Sequence, residues 1–373
     1  MNKRILITST DLMMIQFLVP HVKNLADNGF EVELACSNVG GRLGEVCETL
    51  GTYVQAIHEV GLVRSPVSVK NVSGYKDVKN VISKGNYDII WTNEPVMGVA
   101  TRLAARDKRK SGTKVVYMVH GFHFFTGAPL LYWLCFYPIE YLMSFFVDKI
   151  ITINQEDYRR ACKMHAKSVS YIHGIGMNTE RLQKNSQQSE IREELGISKD
   201  KFFILSVGEL NKNKNHKVVI RALGQLKDED IYYAICGKGD QLEKLQVLAK
   251  ECEVEKNVYF LGYRKDVVDI CSQADVFILP SYREGLSLAS LEAMYCGLPL
   301  ITSKVRGAED YLESGKSGFI CKANNVGQFT DSIEKLKKDK DKCRNFGERN
   351  KIVVLPYCIE NVKNELMEIL MKI

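Results

Sequence analysis

The 373-residue chain predicts two doubly wound α/β domains, each a parallel sheet flanked by helices. Short apolar runs alternate with amphipathic stretches from the first residues onward. A polar passage over residues 178–189, rich in Asn, Gln, Ser and Lys, interrupts the alternation, which restarts near Phe202. Length agrees, because ordinary domains hold roughly 100 to 200 residues. Hydrophobic and charged fractions of 45% and 26% are those of a soluble globular protein. A net charge of +6 suits an anionic ligand or an acidic membrane surface but excludes little. The eleven cysteines are odd in number, lack a C-x-x-C pair, and often fall in apolar runs, as Cys36, Cys236 and Cys296 do. Reduced, buried thiols in a cytosolic setting follow, rather than a disulfide framework or a zinc site. No signal peptide is read, since Met1 leads almost at once into a strand.

In the first half, residues 3–9 make a strand centred on Ile5-Leu6-Ile7, and a helix follows to about Asn28, closed by Gly29. Residues 31–37 and 53–58 are further strands around a helix at 40–50. The first loop, Ser9-Thr10-Asp11, has none of the glycines of the G-x-G-x-x-G fingerprint, which argues against a dinucleotide oxidoreductase. A helix at 71–84 precedes a strand at 87–92, which ends at Asn93-Glu94-Pro95, and another helix reaches about Lys110. The strand at 114–119 ends in His120-Gly121-Phe122-His123, and open α/β sheets bind ligands beyond such strand ends. Residues 129–147 are aromatic and apolar, but Pro138 and Glu140 interrupt them, short of the roughly 20 residues of a spanning helix. A core helix with partial exposure is expected, with an interfacial surface as the alternative. A strand at 169–173 closes this half.

The second half opens with a short helix at 189–196 and a strand at 202–207. Gly208, several lysines including Lys214, and a helix from about Lys217 then form a plausible phosphate site. Strands at 231–236 and 257–261 end in Gly237 and in Gly262-Tyr263-Arg264. A buried strand at 274–280 meets a turn at Gly285, a helix at 287–296 stopped by Gly297, and strands at 298–302 and 316–321. Two charged helices and an amphipathic one at 359–373 complete the chain.

The most informative stretch runs from Ser281 to Pro299. Glu284 lies in the turn beyond a strand's carboxyl end, and Glu292 lies about five residues into the helix, roughly 8 Å deeper. Between them are the unpaired amides of the first helical turn, a ready anion site. Two carboxylates bracketing amides match a ligand with hydroxyls at both ends and phosphates between, the shape of a nucleotide-sugar.

The E-x7-E spacing within Tyr282-Arg-Glu-Gly-Leu-Ser-Leu-Ala-Ser-Leu-Glu292 resembles the signature of retaining glycosyltransferases of family four, which have the GT-B fold. Residues 119–129, Tyr137-Pro-Ile-Glu140 and residues 148–158 resemble the bacterial capsule and exopolysaccharide subgroup of that family. The resemblance implies two Rossmann-like domains with an interdomain cleft and a C-terminal helix crossing back. The implied boundaries are 1–176 for acceptor binding, 177–188 as linker, 189–355 for the nucleotide-sugar, and 356–373 for the returning helix, with closure over the donor.

It also implies residue roles. Glu284 would hold the donor sugar's hydroxyls and Glu292 the ribose, with Gly285 and the amides of Leu286, Ser287, Leu288 and Ala289 on sugar and phosphate. Gly208, Lys214 and Gly237 would face the diphosphate, while Tyr263 and Arg264 would contact the base. Where the family has an arginine after the first glycine, this chain has Glu209, so Arg306 is the candidate for the second positive charge. His120 would lie across from the donor sugar and, with Glu284 and Lys214, carry the chemistry. Ser9, Asp11 and His123 are placed on the acceptor side. The expected activity is metal-independent, needs no cofactor besides the UDP-sugar substrate, and moves a hexose or N-acetylhexosamine with retention. The acceptor would be a polyprenyl-diphosphate-linked saccharide, with the enzyme cytoplasmic or peripheral on the inner membrane face, and no nucleic acid is involved. Alternatives are a nucleotide-sugar epimerase of the same fold and a transferase using a cytosolic small-molecule acceptor.

Overall fold

Thirteen apolar segments form strands in two all-parallel sheets in this computed structural model, which describes residues 3–10, 12–38, 43–184 and 190–373. By contacts the chain divides into Met1–Gly176 with Ile359–Ile373, and Met177–Cys358. The first unit holds β1 (Arg4–Ser9), β2 (Glu31–Cys36), β3 (Ala56–Glu59), β4 (Ile89–Asn93), β5 (Lys114–Val119), β6 (Lys149–Thr152) and β7 (Ser168–Tyr171), in the order β3-β2-β1-β4-β5-β6-β7. The second holds β8 (Phe202–Val207), β9 (Ile231–Cys236), β10 (Val258–Gly262), β11 (Val276–Leu279), β12 (Leu300–Ser303) and β13 (Gly318–Cys321), in the order β10-β9-β8-β11-β12-β13. Central strands read as unbroken apolar runs because helices cover both faces; Phe203, Ile204 and Leu205 of β8 are fully buried. In each sheet the strand order reverses once, between β1 and β4 and between β8 and β11. Such switch points are where loops on neighbouring strand ends part and leave a crevice.

Several boundaries differ from the sequence reading. The stretch at 177–188 is not simply a linker: Thr179–Lys184 is helical, Met177 bridges Cys358, and Met177 and Leu182 enter the second unit's core. Those two apolar anchors are hidden in a polar composition; residues 185–189 lie outside the described residues. The third strand begins only at Ala56, and the helix expected to reach Lys110 is two, Pro95–Ala104 and Arg106–Lys110. The final helix, Ile359–Met371, belongs to the first unit, burying Ile359, Val362, Leu366 and Leu370 on one face. Its Glu365 carboxylate accepts hydrogen bonds from His173 N (3.0 Å) and pairs with His173 Nδ1 (2.7 Å).

The apolar segment forms a helix, Leu130–Met143, that runs through Pro138 without stopping. Glu140 is its one buried residue, whereas Leu130, Leu131 and Leu134 are 72%, 64% and 66% exposed. The reason is an ion pair. Arg102, fully buried, donates from Nη2 to Glu140 Oε2 (2.9 Å), and the Tyr117 hydroxyl donates to Glu140 Oε1 (3.0 Å). The charged residue therefore points inward and the leucines outward, so exposure goes well beyond that of a core helix. Among the described residues no helix is long and apolar enough to cross a membrane.

Candidate functional site

The β8–β11 crevice gathers most of the residues singled out in the second unit. Gly208 leaves β8 and Gly237 leaves β9 so closely that a Cβ on Gly237 would lie 1.9 Å from the Gly208 carbonyl oxygen. Loop 208–216 is stapled to the loop after β11. Asn213 Nδ2 donates to the Arg283 carbonyl (3.0 Å), and Tyr282 N donates to the Asn213 carbonyl (2.8 Å). Buried Asn215, at a left-handed φ of 54°, donates from Nδ2 to the Pro280 and Ala323 carbonyls (3.0 and 2.9 Å). These staples bring together two predicted residues: Lys214 Nζ lies 2.8 Å from Glu284 Oε1, with side chains 22% and 14% exposed. Next to them, buried His216 pairs its Nδ1 with the Tyr233 hydroxyl (3.0 Å). Burial, and then the charge of Lys214, push its pKa down to about 3, so it is neutral. Asn213 Oδ1, Asn215 Oδ1 and Ser281 Oγ are buried without a hydrogen-bond partner among the described residues. Such orphans are uncommon in finished interiors and mark a place where a ligand or water completes the bonding.

The helix after this turn, Leu288–Tyr295, starts and stops as its sequence dictates. Ser287 is the N-cap, its Oγ accepting from Ser290 N (3.3 Å). At the other end Gly297 N donates to the Met294 carbonyl and Leu298 N to the Ala293 carbonyl, a Schellman stop with Gly297 at φ 83°. The cap takes the Ser290 amide and leaves the earlier amides of Leu288 and Ala289 at the start of the helix. Glu284 in the turn and Glu292 in the helix are both half-buried. Gly307 presses on the same turn: a Cβ there would lie 2.2 Å from the Gly285 carbonyl oxygen, which places the partly buried Arg306 beside it.

Other predicted residues stand apart. Glu209 is exposed and accepts from Asn211 Nδ2 (2.9 Å), its carboxylate turned to its own loop. Tyr263 is 71% exposed. The Arg264 guanidinium is held by carboxylates, those of Asp266 (2.8 and 2.7 Å) and Glu194 (3.1 Å), which leaves its backbone for the contact to the base that the resemblance implies. Asp228 and Asp230, in the turn before β9, pair with Lys337 and Lys201.

In the first unit the β1–β4 crevice has a different character. Asn93 ends β4, and its Oδ1 lies 3.0 Å from His120 Nε2. Asn93 Nδ2 donates to the Thr8 carbonyl (3.4 Å), which turns Oδ1 to the imidazole and fixes the Nε2–H tautomer. Burial, then the neighbouring His21, lower the His120 pKa to about 4, so the ring is neutral near pH 7. Glu94 follows with φ 64° and ψ 153°, a conformation costing a non-glycine residue about 1–3 kcal/mol. Its Oε2 accepts from Ser9 Oγ (2.8 Å) and Thr10 N (2.6 Å), and Oε1 lies 3.9 Å from Arg64 Nη2. Ser9, which the resemblance put on the acceptor side, here donates to the carboxylate of a residue with a strained backbone. Asp11 lies outside the described residues.

Beside this crevice is a cavity of about 560 Å³. Thr10, Arg64 and Glu94 meet at a polar end, where Glu94 contacts the other two; Asn71, Tyr75, His123 and Glu140 add polar groups to a lining otherwise walled by apolar side chains such as Leu62, Val99, Leu103, Phe136 and Ile139. Thr10 Oγ1 is buried there without a hydrogen-bond partner among the described residues. His123 stacks on Phe136, ring centroids 4.5 Å apart. Glu94 and Thr10 were missed from sequence; the only signal was a carboxylate placed between a strand end and a helix-starting proline.

Comparison with known proteins bears on both units. Residues 187–353 match the family model "Glycosyl transferases group 1", and residues 18–181 match "Glycosyltransferase Family 4". The chain is 35% identical over 376 residues to the putative glycosyltransferase EpsD of Bacillus subtilis (strain 168), covering 99% of this chain and 96% of that protein. The chain belongs to the family-four glycosyltransferases. Another relative of this family-four glycosyltransferase is the UDP-Gal:alpha-D-GlcNAc-diphosphoundecaprenol alpha-1,3-galactosyltransferase of Escherichia coli. It is 27% identical, over 85% of this chain and 82% of its own length. Among solved structures, Anabaena HepE in complex with UDP superposes with a TM-score of 0.82 at 18% identity, covering 100% of both chains. Its two Rossmann-like units have the GT-B fold.

Proposed function

We propose that this glycosyltransferase moves a hexose or N-acetylhexosamine from a UDP-sugar, with retention and without a metal, onto a lipid-diphosphate-linked saccharide during cell-surface polysaccharide synthesis. The Lys214–Glu284 pair carries this reading, because it sets a cation and an acceptor side by side at a switch point, next to helix amides. The relatives' printed activities support the acceptor class, since the Escherichia coli enzyme and a Campylobacter jejuni one act on diphospho-undecaprenol sugars.

In this mechanism Lys214, the amides of Leu288 and Ala289, and Arg306 take the diphosphate, so the leaving group is neutralised as it departs. Gly208 and Gly237 let the backbone approach it closely, and Tyr263 flanks the base. Glu284 accepts from the sugar's hydroxyls and Glu292 from the ribose. The bond from sugar C1 to the phosphate oxygen breaks with its electron pair going to UDP. The acceptor hydroxyl adds on the same face and passes its proton to that phosphate oxygen. Neutral His120 donates through Nε2–H to Asn93, which leaves Nδ1 as an acceptor toward the acceptor-side groups, with Ser9, Glu94 and His123 nearby. The exposed leucines of helix Leu130–Met143 fit a peripheral site on the inner membrane face.

A thermal-shift screen across nucleotide-sugars tests the donor assignment, since a ligand at about 100 times its Kd adds about 2.7 kcal/mol to stability. Stabilisation by UDP-sugars is expected; no shift with any nucleotide-sugar would overturn the reading. Release of free sugar or a C2 epimer without acceptor would instead identify an epimerase.

A further inference from the structure

We propose that the cavity of the first unit seats the isoprenoid chain of a polyprenyl diphosphate, with the diphosphate at Arg64 and the linked sugar toward Glu94. The inference rests on the lipid-acceptor reading above and adds where the lipid goes. Four observations carry it. First, the wall along helix Pro95–Ala104, with Val96, Val99, Ala100 and Leu103, extends over about two turns from the strand end outward and offers no hydrogen bond from a side chain. A sugar would leave its hydroxyls unpaired against that wall, whereas a hydrocarbon loses nothing there.

Second, the lining residues Leu103 and Ile139 are themselves 37% and 48% exposed, so the apolar wall runs out onto the surface. Third, both elements flanking the cavity carry outward apolar side chains. Val67, Val69 and Val72, just after the lining residue Pro66, are 88%, 84% and 65% exposed, and Leu130, Leu131 and Leu134 are exposed on the helix face opposite the lining residues Phe136 and Ile139. Apolar side chains exposed on both elements would let this side of the unit rest on a bilayer, next to the wall that Leu103 and Ile139 carry to the surface. Fourth, the polar end has complementary groups for the head of such a lipid. Arg64 supplies a guanidinium 62% exposed, and buried Thr10 Oγ1 supplies an orphaned hydroxyl. Glu94 opposes a phosphate but accepts from sugar hydroxyls, which orders the ligand as chain, diphosphate, sugar. Glu140, the other acid at the wall, is neutralised by Arg102.

The test uses farnesyl diphosphate below its micelle concentration, with inorganic diphosphate and farnesol as comparators, titrated calorimetrically into the full chain. Farnesyl diphosphate is expected to bind about tenfold or more tighter than inorganic diphosphate. Val99→Trp, which fills the chamber, and Leu103→Arg, which charges its mouth, should each erase that gain. Arg64→Ala should weaken farnesyl diphosphate while leaving farnesol unchanged. Folding of each variant is checked by its melting shift with UDP, which reports the second unit, and by the full chain's circular dichroism, whose loss would report an unfolded first unit. Equal binding of the two diphosphates, or farnesyl binding undisturbed by both chamber variants, would overturn the proposal. So would loss of binding in Leu130→Ser/Leu131→Ser/Leu134→Ser alone, which would put the chain on the outer face. A UDP-sugar shift without farnesyl binding sinks the chamber and spares the transferase; farnesyl binding without any nucleotide-sugar shift does the reverse.

Discussion

The two switch points solve the same topological problem with opposite materials. At β8–β11 the loops are stapled by Asn213 and Asn215 and closed by the Lys214–Glu284 pair, a polar site assembled in advance. At β1–β4 a strained Glu94 is clamped by Ser9 and Thr10, and the space beside it is mostly apolar. The difference follows the ligands proposed for them. A diphosphate needs fixed charge and amides, while a lipid-linked saccharide needs hydrocarbon walls and one polar end.

The comparison breaks most visibly at the polar site. Lys214→Ala or Glu284→Gln should each lower kcat by about 10²–10³-fold, with the fold retained by circular dichroism. Swapping the pair, Lys214→Glu with Glu284→Lys, should restore the ion pair but not the turnover, because charge order and not mere pairing is used. His120→Ala should cost about 10²-fold. Since its pKa lies at about 4, turnover should show no His120 inflection between pH 5 and 7, and a limb near 6.5 would contradict the half-buried, neutral ring. Arg306→Ala should raise the donor KM or lower turnover about tenfold; no change in either would remove it from the diphosphate site. On the apolar side, Leu130→Ser/Leu131→Ser/Leu134→Ser should weaken binding to anionic vesicles about tenfold in a flotation assay, while UDP still raises the melting temperature.

The smallest effect is on stability. His21, His120 and His216 have folded pKa values lowered from the ordinary 6.5 to about 4, 4 and 3, chiefly by burial. Between those values and 6.5 the unfolded chain binds more protons, so stability must fall as pH drops through that window and be flat above it. Urea melts at pH 7.5, 6 and 5 check the sign.

Much of this was legible in the sequence, for physical reasons. The Glu284–Glu292 stretch announced itself because its turn, cap and stop are local chemistry, and Ser287 and Gly297 behave as expected. Parallel strands were readable as apolar runs. What escaped was non-local. Glu94 acquires meaning only through Ser9 and Thr10, more than eighty residues away along the chain. Arg264 looked available until Glu194 and Asp266 closed on it. Glu140 read as an interruption of an apolar helix because Arg102, its partner, lies on another element. Met177 and Leu182 were lost in a polar stretch because composition averages over the two residues that anchor it.

The helix Ile359–Met371 has a further consequence for how the chain is made. The first unit is interrupted by Met177–Cys358 and recovers its last packing face only with residues 359–373. During synthesis the second unit is therefore complete before the first is sealed, and β7 waits for Glu365 to reach His173. Until then one flank of the first unit stays open, which makes the nascent first unit the aggregation-prone partner and any lesion in that helix a fault in assembly before it is a fault in catalysis.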